Sequence, residues 1–329
     1  MGEKLEKELK WAVLGTGIIA NEMAQALEKM GKNLYAVANR THGKAVEFAE
    51  KYGIQKVYDK IEDMFTDEET DIIYITTPHN THIKFMIEAL KNGKHVLCEK
   101  SITLNSEELE EAVKIAKEKN LILGEAMTIF NMPLYTELSE IVNSGKLGDV
   151  KMIQVNFGSY KEYDMNNRFF NRNLAGGALL DIGVYAISIT RLFMTSKPDN
   201  VLSQVKYAPT GVDEQVGIIM MNKEQQMSTI ALTLHSKQPK RVVIACEKAY
   251  IEITEYPRAD KAKIVYTETG EVEEIIAGMT SNALQYELQN MDESVRTGIN
   301  KMKLEYTIDV MDIMTRLRKE WGMTYPEEE

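Results

Sequence analysis

A short apolar run, Trp11-Ala12-Val13-Leu14, leads directly into Gly15-Thr16-Gly17-Ile18-Ile19-Ala20, and a helical pattern then continues to Gly31. Few folds join a strand to a helix through G-x-G-x-x-A. The first glycine permits the tight turn, the second lets a pyrophosphate approach the backbone, and the small sixth residue lets helix and strand pack closely. Free N–H groups and the positive end of the helix dipole then face the phosphates. With strand and helix on either side, the motif reads as a dinucleotide-binding loop rather than an ordinary glycine turn. Gly15, Thr16, Gly17, Ile18 and Ile19 are the expected contacts.

The stretch that follows keeps the same rhythm. LYAVAN (34–39), DIIYITT (71–77), HVLCE (95–99) and LILGEAM (121–127) read as strands, separated by helical patterns such as GKAVEFAEKYG and SEELEEAVKIAKEKN. Alternating units of this size predict a doubly wound parallel sheet covered on both faces, a Rossmann-type α/β domain over residues 1–127. After residue 127 the pattern changes. One helix is expected at 134–144. Strands then dominate, from KMIQVNFGSY through VEEII, many alternating apolar with polar residues. Helical patterns recur at 176–195, 282–298 and 304–321. Residues 128–329 are therefore expected to form an α+β substrate-binding and oligomerisation domain on a large, mostly antiparallel sheet. Its C-terminal helices are free to pack back on the first domain.

Net charge of −11 argues against a nucleic-acid partner. No apolar stretch is read as reaching the ~20 residues of a membrane span. MGEKLEKELK lacks a signal-peptide core, and Cys98 and Cys246 have neither disulfide-framework nor metal spacing. A cytoplasmic location is expected. The closing EEE is expected to aid solubility.

The end of the second strand bears on cofactor choice. NAD sites place a carboxylate there for the ribose hydroxyls. Here stand Asn39-Arg40-Thr41-His42, then Lys44, and a guanidinium suits a 2′-phosphate. NADP(H) is favoured, through Asn39 and Arg40, and NAD(H) stays possible if Arg40 is only a solvated loop residue. Ligands of open α/β sheets bind beyond the strand ends. Two such ends stand out: Thr76-Thr77-Pro78-His79-Asn80-Thr81-His82, and Glu99-Lys100. Thr77, Pro78, Asn80, His82, Glu99 and Lys100 are expected near the cofactor, the last two otherwise forming a local cap or pair.

GTGIIA, TTPHNTH, HVLCEK and GGALLDIGVY, in that order, make the chain resemble the Gfo/Idh/MocA oxidoreductases over nearly its whole length. The resemblance implies NAD(P) in the first domain and a sugar, polyol or related alcohol as substrate. Ser101 stands where many members have proline, and Tyr185 where many have histidine. The tyrosine, with NNRFFNRNLAGGALLDIGVY around it, resembles the branch containing dimeric dihydrodiol dehydrogenases, aldose dehydrogenases and glucose–fructose oxidoreductase.

Asp181 lies inside an apolar run, where a carboxylate needs a partner or a task. Tyr185, four residues on, shares its helix face. Moving a hydride to or from an alcohol carbon also moves a proton. Tyr185 is the expected general acid/base. Lys100 is expected to polarise the substrate oxygen and lower the phenol pKa from ~10, and Asp181 to orient the lysine or a substrate hydroxyl. A structural ion pair and a core aromatic are the plainer alternatives. Arg168, Phe170 and Asn171 either line the cleft or form ordinary loop. His79-x-x-His82 has no third ligand nearby, so no metal is expected. The chain thus reads as an NADP(H)-dependent oxidoreductase acting on a sugar, polyol or cyclic diol, as a homodimer or homotetramer. A non-catalytic NADP(H) sensor and a nicotinamide-assisted glycosidase are the alternatives.

Overall fold

The structure, a computed structural model, describes residues 8–329. Its first sheet is built from β1 (Trp11–Leu14), β2 (Ala36–Ala38), β3 (Lys56–Val57), β4 (Ile72–Ile75), β5 (His95–Glu99) and β6 (Leu123–Ala126). The strands run in the order β3-β2-β1-β4-β5-β6, and every neighbouring pair is parallel. Helices α1 (Ile18–Lys29), α2 (His42–Tyr52), α3 (Ile61–Thr66), α4 (His82–Lys91) and α5 (Ser106–Glu118) connect them. All residues of β1 and β4 are buried. That is why these strands read as continuous apolar runs and not as alternating ones. The strand order reverses beside β1, between β1 and β4, and a crevice forms beyond their carboxyl ends. Asn105 caps α5 by accepting from the Glu108 N–H at 2.9 Å. The pair β3 and α3 is absent from the sequence reading, because a two-residue strand carries no period.

The chain leaves this sheet through the short α6 (Thr128–Asn131) and α7 (Pro133–Asn143). The second sheet holds β7 (Val150–Gly158), β8 (Asn200–Tyr207), β9 (Asp213–Met221), β10 (Met227–Thr233), β11 (Gln238–Cys246), β12 (Ala249–Thr254), β13 (Lys261–Tyr266) and β14 (Val272–Ile276). Its order is β14-β13-β12-β11-β7-β10-β9-β8, antiparallel throughout except for β7 beside β10. Helix α8 (Val184–Phe193) packs on β7 and β10, and α10 (Leu304–Trp321) packs on α8 and β8. The opposite face leaves Leu202, Ile219, Tyr250 and Val272 exposed, with Leu202 directly across from Ile219.

Helix α9 (Ala283–Thr297) returns to the first domain. Its Leu284, Leu288 and Met291 join Trp11, Met23 and Leu27 in one apolar cluster, and Trp11 Nε1 donates to Asp292 at 2.8 Å. The stretch Arg172–Phe193 is long and apolar enough to cross a membrane, contrary to the sequence reading. It is mostly buried between sheet and helices, so its apolarity serves the core.

Candidate active site

At the first strand end, Gly15 has φ +111°, and a Cβ there would lie 2.4 Å from Thr76 Oγ1. Thr76 Oγ1 itself donates to Leu14 O at 3.0 Å, binding the tips of β1 and β4 together. Gly17 differs: its φ is −74° and a Cβ would meet no protein atom within 4 Å. Its bareness leaves open space before the start of α1, where no side chain caps the helix and no acidic residue occupies the first turn. Uncapped N–H groups facing open space fit a pyrophosphate. Ile18 is exposed on the same rim. Asn39 shapes the loop, donating to Thr16 Oγ1 at 2.8 Å and accepting from the Thr41 N–H at 2.8 Å. Arg40 is exposed and forms no ion pair among the described residues, so its guanidinium is uncommitted.

The second strand end brings a correction. His82 is fully buried, with Nε2 2.7 Å from Thr77 O and Nδ1 3.0 Å from Ser101 O. Both ring nitrogens are used in bracing the ends of β4 and β5, and the ring does not face the crevice. Thr77 Oγ1 accepts from Thr81 at 2.8 Å, and Pro78 is exposed. Asn80 bonds to Glu327 through Nδ2, while its Oδ1 is buried without a partner. The Glu99 carboxylate is taken by the Tyr74 hydroxyl.

The third element is the Gly176-Gly177 entry to the helical segment. A Cβ on Gly176 would fall 2.7 Å from Phe169 O, and one on Gly177 (φ +126°) 2.1 Å from Asp213 Oδ1. Residues Leu179–Gly183 then form a wide π turn before α8 begins, where the sequence reading expects an unbroken helix. In the wide turn two successive carbonyls take donors from the end of β5. Ser101 Oγ donates to Leu180 O at 2.8 Å, and Lys100 Nζ donates to Asp181 O at 2.7 Å and to Asp181 Oδ1 at 3.2 Å. Ser101 thereby ties the lysine's strand end to the helical turn. Such π turns recur at functional sites.

Asp181 is buried but doubly partnered, with Arg168 Nη2 3.5 Å from its Oδ1. Burial pushes its carboxyl up, yet Lys100, Arg168 and His79 together hold it down at about 2. Burial opposes the Lys100 charge, but Asp181, Tyr185 and Glu99 outweigh it and raise its pKa. Tyr185 is half-buried against Phe157, its ring 4.8 Å beneath Lys100 Nζ. Its hydroxyl makes no hydrogen bond to a described residue. Burial dominates and raises the phenol pKa; Lys100 pulls it down without reversing that. The net direction is opposite to the sequence expectation, because burial of the phenol outweighs the pull of the ammonium, which Glu99 and Asp181 also oppose.

His79 belongs to this cluster, although the sequence reading weighed it only as a metal ligand. Burial, then His82 and Lys100, push it down to about 3, so its ring, set edge-on to His82, is neutral at pH 7. Phe170 is buried against Tyr163 and lines no cleft, while Asn171 caps a turn by accepting from the Asn173 N–H at 2.9 Å. Among the described residues no group of three His, Cys, Asp or Glu side chains is placed to hold a metal ion.

The C-terminal residues form part of the wall. Tyr325 OH donates to Gly176 O at 2.7 Å. Arg318 forks onto both Glu328 oxygens at 2.7 Å, Asn105 donates to Glu328 at 2.8 Å, and Arg172 pairs with Glu329. The acidic tail is thus a set of specific contacts and not simply a solubilising end.

A glycine turn at the strand ends of a parallel α/β sheet, with Lys100, Asp181 and Tyr185 gathered beside it, is the arrangement of a dinucleotide-binding oxidoreductase fold. The model of the oxidoreductase family with the NAD-binding Rossmann fold matches residues 9–127, and that of the Gfo/Idh/MocA C-terminal domain matches residues 135–252. The chain belongs to the Gfo/Idh/MocA oxidoreductase family. It is 29% identical to a trans-1,2-dihydrobenzene-1,2-diol dehydrogenase of Xenopus laevis, over 96% of this chain and 99% of that one. The Homo sapiens enzyme of the same name is 27% identical, over 97% and 99%. Among solved structures, the 3-ketoreductase KijD10 of Actinomadura kijaniata, held with NADP and TDP-benzene, superposes with a TM-score of 0.85 at 19% identity, over 95% and 98% of the two chains. Levoglucosan dehydrogenase, held with NADH and levoglucosan, gives 0.83 at 16% identity, over 95% and 98%. At such identities the structural likeness speaks for the fold.

Proposed function

We propose that this chain is an NADP(H)-dependent oxidoreductase acting on a CH–OH carbon of a sugar, polyol or cyclic diol, with Tyr185 as its general acid/base. The observation that carries the reading is the Tyr185 hydroxyl, without a hydrogen-bond partner among the described residues, on a ring covered by the Lys100 ammonium at 4.8 Å. Bound nicotinamide supplies or accepts the hydride. The chain's own residues manage the accompanying proton. With its pKa raised, the phenol holds its proton at neutral pH and is ready to donate it to a nascent alkoxide when a carbonyl is reduced. Lys100, aimed by Asp181 and by the π turn, stabilises negative charge on that oxygen. Asp181 keeps the ammonium charged. In the oxidising direction Tyr185 takes the proton back.

The names of the relatives support a sugar-like or diol substrate, and the bound dinucleotides of the fold neighbours support the cofactor class. Exposed Arg40, and the lack of Asp or Glu in the stretch Asn39–His42, where Asp59 is drawn to His42 at 3.1 Å and not to Arg40, support NADP(H). The test is steady-state reduction of NADP⁺ and NAD⁺ with aldoses, inositols and diols. NADP⁺ should give the lower KM, and Arg40→Ala should raise that KM about tenfold while leaving the KM for NAD⁺ unchanged. Equal KM values in the parent chain would refute the preference, and cofactor binding with no turnover on any alcohol would refute the enzyme reading.

The open sheet face supports pairing with a second copy: Leu202 is 63% exposed, Ile219 46% and Val272 56%. Ile219→Lys should shift sedimentation toward monomer; an unchanged oligomer would move the interface elsewhere. Two cysteines, neither in a disulfide, support a reducing, cytoplasmic setting.

A further inference from the structure

Two cations reach one carboxylate in the substrate half of the site, and a third lies close to one of them. Lys100 and Arg168 both reach Asp181 Oδ1, at 3.2 and 3.5 Å. Lys161 completes the set. Its backbone N–H donates to Leu234 O at 2.8 Å, fixing the chain just beyond β7. Its ammonium then lies 4.2 Å from the centre of the Phe169 ring, and the Arg168 guanidinium lies 4.3 Å from the same centre. Lys161 is half-buried and has no carboxylate partner among the described residues. Nearby Lys240 is already neutralised by Glu255 at 2.9 Å. Glu99 is engaged by Tyr74.

The local balance is therefore three positive groups against Asp181 and, beside Lys100, the Glu99 carboxylate, one positive charge in excess. Like charges brought together repel one another, most where they are partly buried as Lys100 and Lys161 are, and such a cluster attracts anions. The cost is visible on Lys161. Burial pushes its pKa down; Asp181 opposes that, and the charges of Arg168, Lys100 and Lys240 add to the lowering. The pyrophosphate of a dinucleotide is not the missing anion. Its cradle is the Gly15–Gly17 turn of the first domain, whereas Lys161 and Phe169 belong to the second.

We infer that the substrate carries an anionic group, a carboxylate or a phosphate ester, seated against Lys161 and Arg168 beside the carbon that reacts at Tyr185. The inference rests on the oxidoreductase reading above and narrows its substrate class from neutral sugars or diols to charged ones.

Matched ligands test it: glucose, glucuronate and glucose 6-phosphate, each offered to the chain with saturating NADP⁺. Binding to the NADPH-loaded chain is measured in parallel by calorimetry. A charged ligand is expected to exceed glucose at least tenfold in kcat/KM or in affinity, and the better of the two separates carboxylate from phosphate. Lys161→Glu should cut that ratio at least tenfold, chiefly through KM or Kd, and Lys161→Arg should restore it. Salt at 0.5 M should erode it. Charged ligands no better than glucose, or a ratio indifferent to Lys161→Glu, overturn the inference. Anion binding that depends on Lys161, without turnover of any ligand, keeps the anion site and refutes the oxidoreductase reading instead.

Discussion

Two glycine turns border the site, and they are bare for different reasons. In the Gly15–Gly17 turn only Gly15 relieves a clash with protein, while a methyl on Gly17 would point into open space. In the Gly176–Gly177 turn both positions press on protein atoms, Phe169 O and Asp213 Oδ1. The first turn is shaped for something that arrives. The second is shaped by the fold, and it delivers Asp181 and Tyr185 to Lys100. A glycine facing open space beside an uncapped helix marks a ligand, whereas a glycine wedged against backbone and carboxylate marks a tertiary joint.

The largest expected effect tests what the second turn delivers. Tyr185→Phe should lower kcat by about 10²–10⁴-fold, the usual worth of a general acid/base. NADPH binding, followed by its fluorescence, should be unchanged. Because the phenol pKa is raised, carbonyl reduction in the parent chain should be level through neutral pH and fall only as alkaline pH strips the proton. Near-normal turnover by Tyr185→Phe would return the residue to the aromatic core.

Next comes a direct contrast of the turns. Gly177→Ala must hold φ +126° and push Asp213 aside, which should cost about 3 kcal/mol or more in thermal or urea unfolding. Gly17→Ala, with φ −74° and no protein neighbour, should unfold like the parent chain and yet bind NADP(H) at least tenfold more weakly. Equal destabilisation by both would erase the distinction.

The smallest effect concerns Asp213, which accepts from the Leu179 N–H at 2.6 Å and leaves Oδ1 buried without a partner. Burial pushes its carboxyl up to about 7. The folded chain then holds this proton more tightly than the unfolded chain does. This contribution to stability is complete at acid pH and is lost as pH rises from ~4 to about 7. Glu125, likewise pushed up to about 7 by burial, adds a second component of the same sign. Asp213→Asn keeps the acceptor for Leu179 and cannot ionise, so its Tm should fall less between pH 5 and 8 than the parent's. A parallel fall would assign the slope to Glu125.

Much of the architecture was legible because it follows from local periodicity. Strands buried on both faces read as apolar runs, and the alternating burial along β9 read as a sheet with one open face. The site was legible where a residue broke its surroundings, as Asp181 does among leucines and isoleucines. What the reading missed has no local signature. His79 looked like half a metal site, and His82 like a cleft residue until both its nitrogens met carbonyls. Lys161 carries no motif that singles it out in the sequence, and the EEE tail read as a solubilising end.

By itself, the sequence determined the order of strands and helices, the glycine loop and the chemical types gathered around Asp181, because these depend on neighbours within a few residues. Tertiary structure alone decided the rest. It opened the helix into a π turn whose carbonyls take Ser101 and Lys100, and set the ammonium over the Tyr185 ring. Electrostatic energy depends on distance and burial, and for residues about eighty positions apart both exist only once the chain has folded.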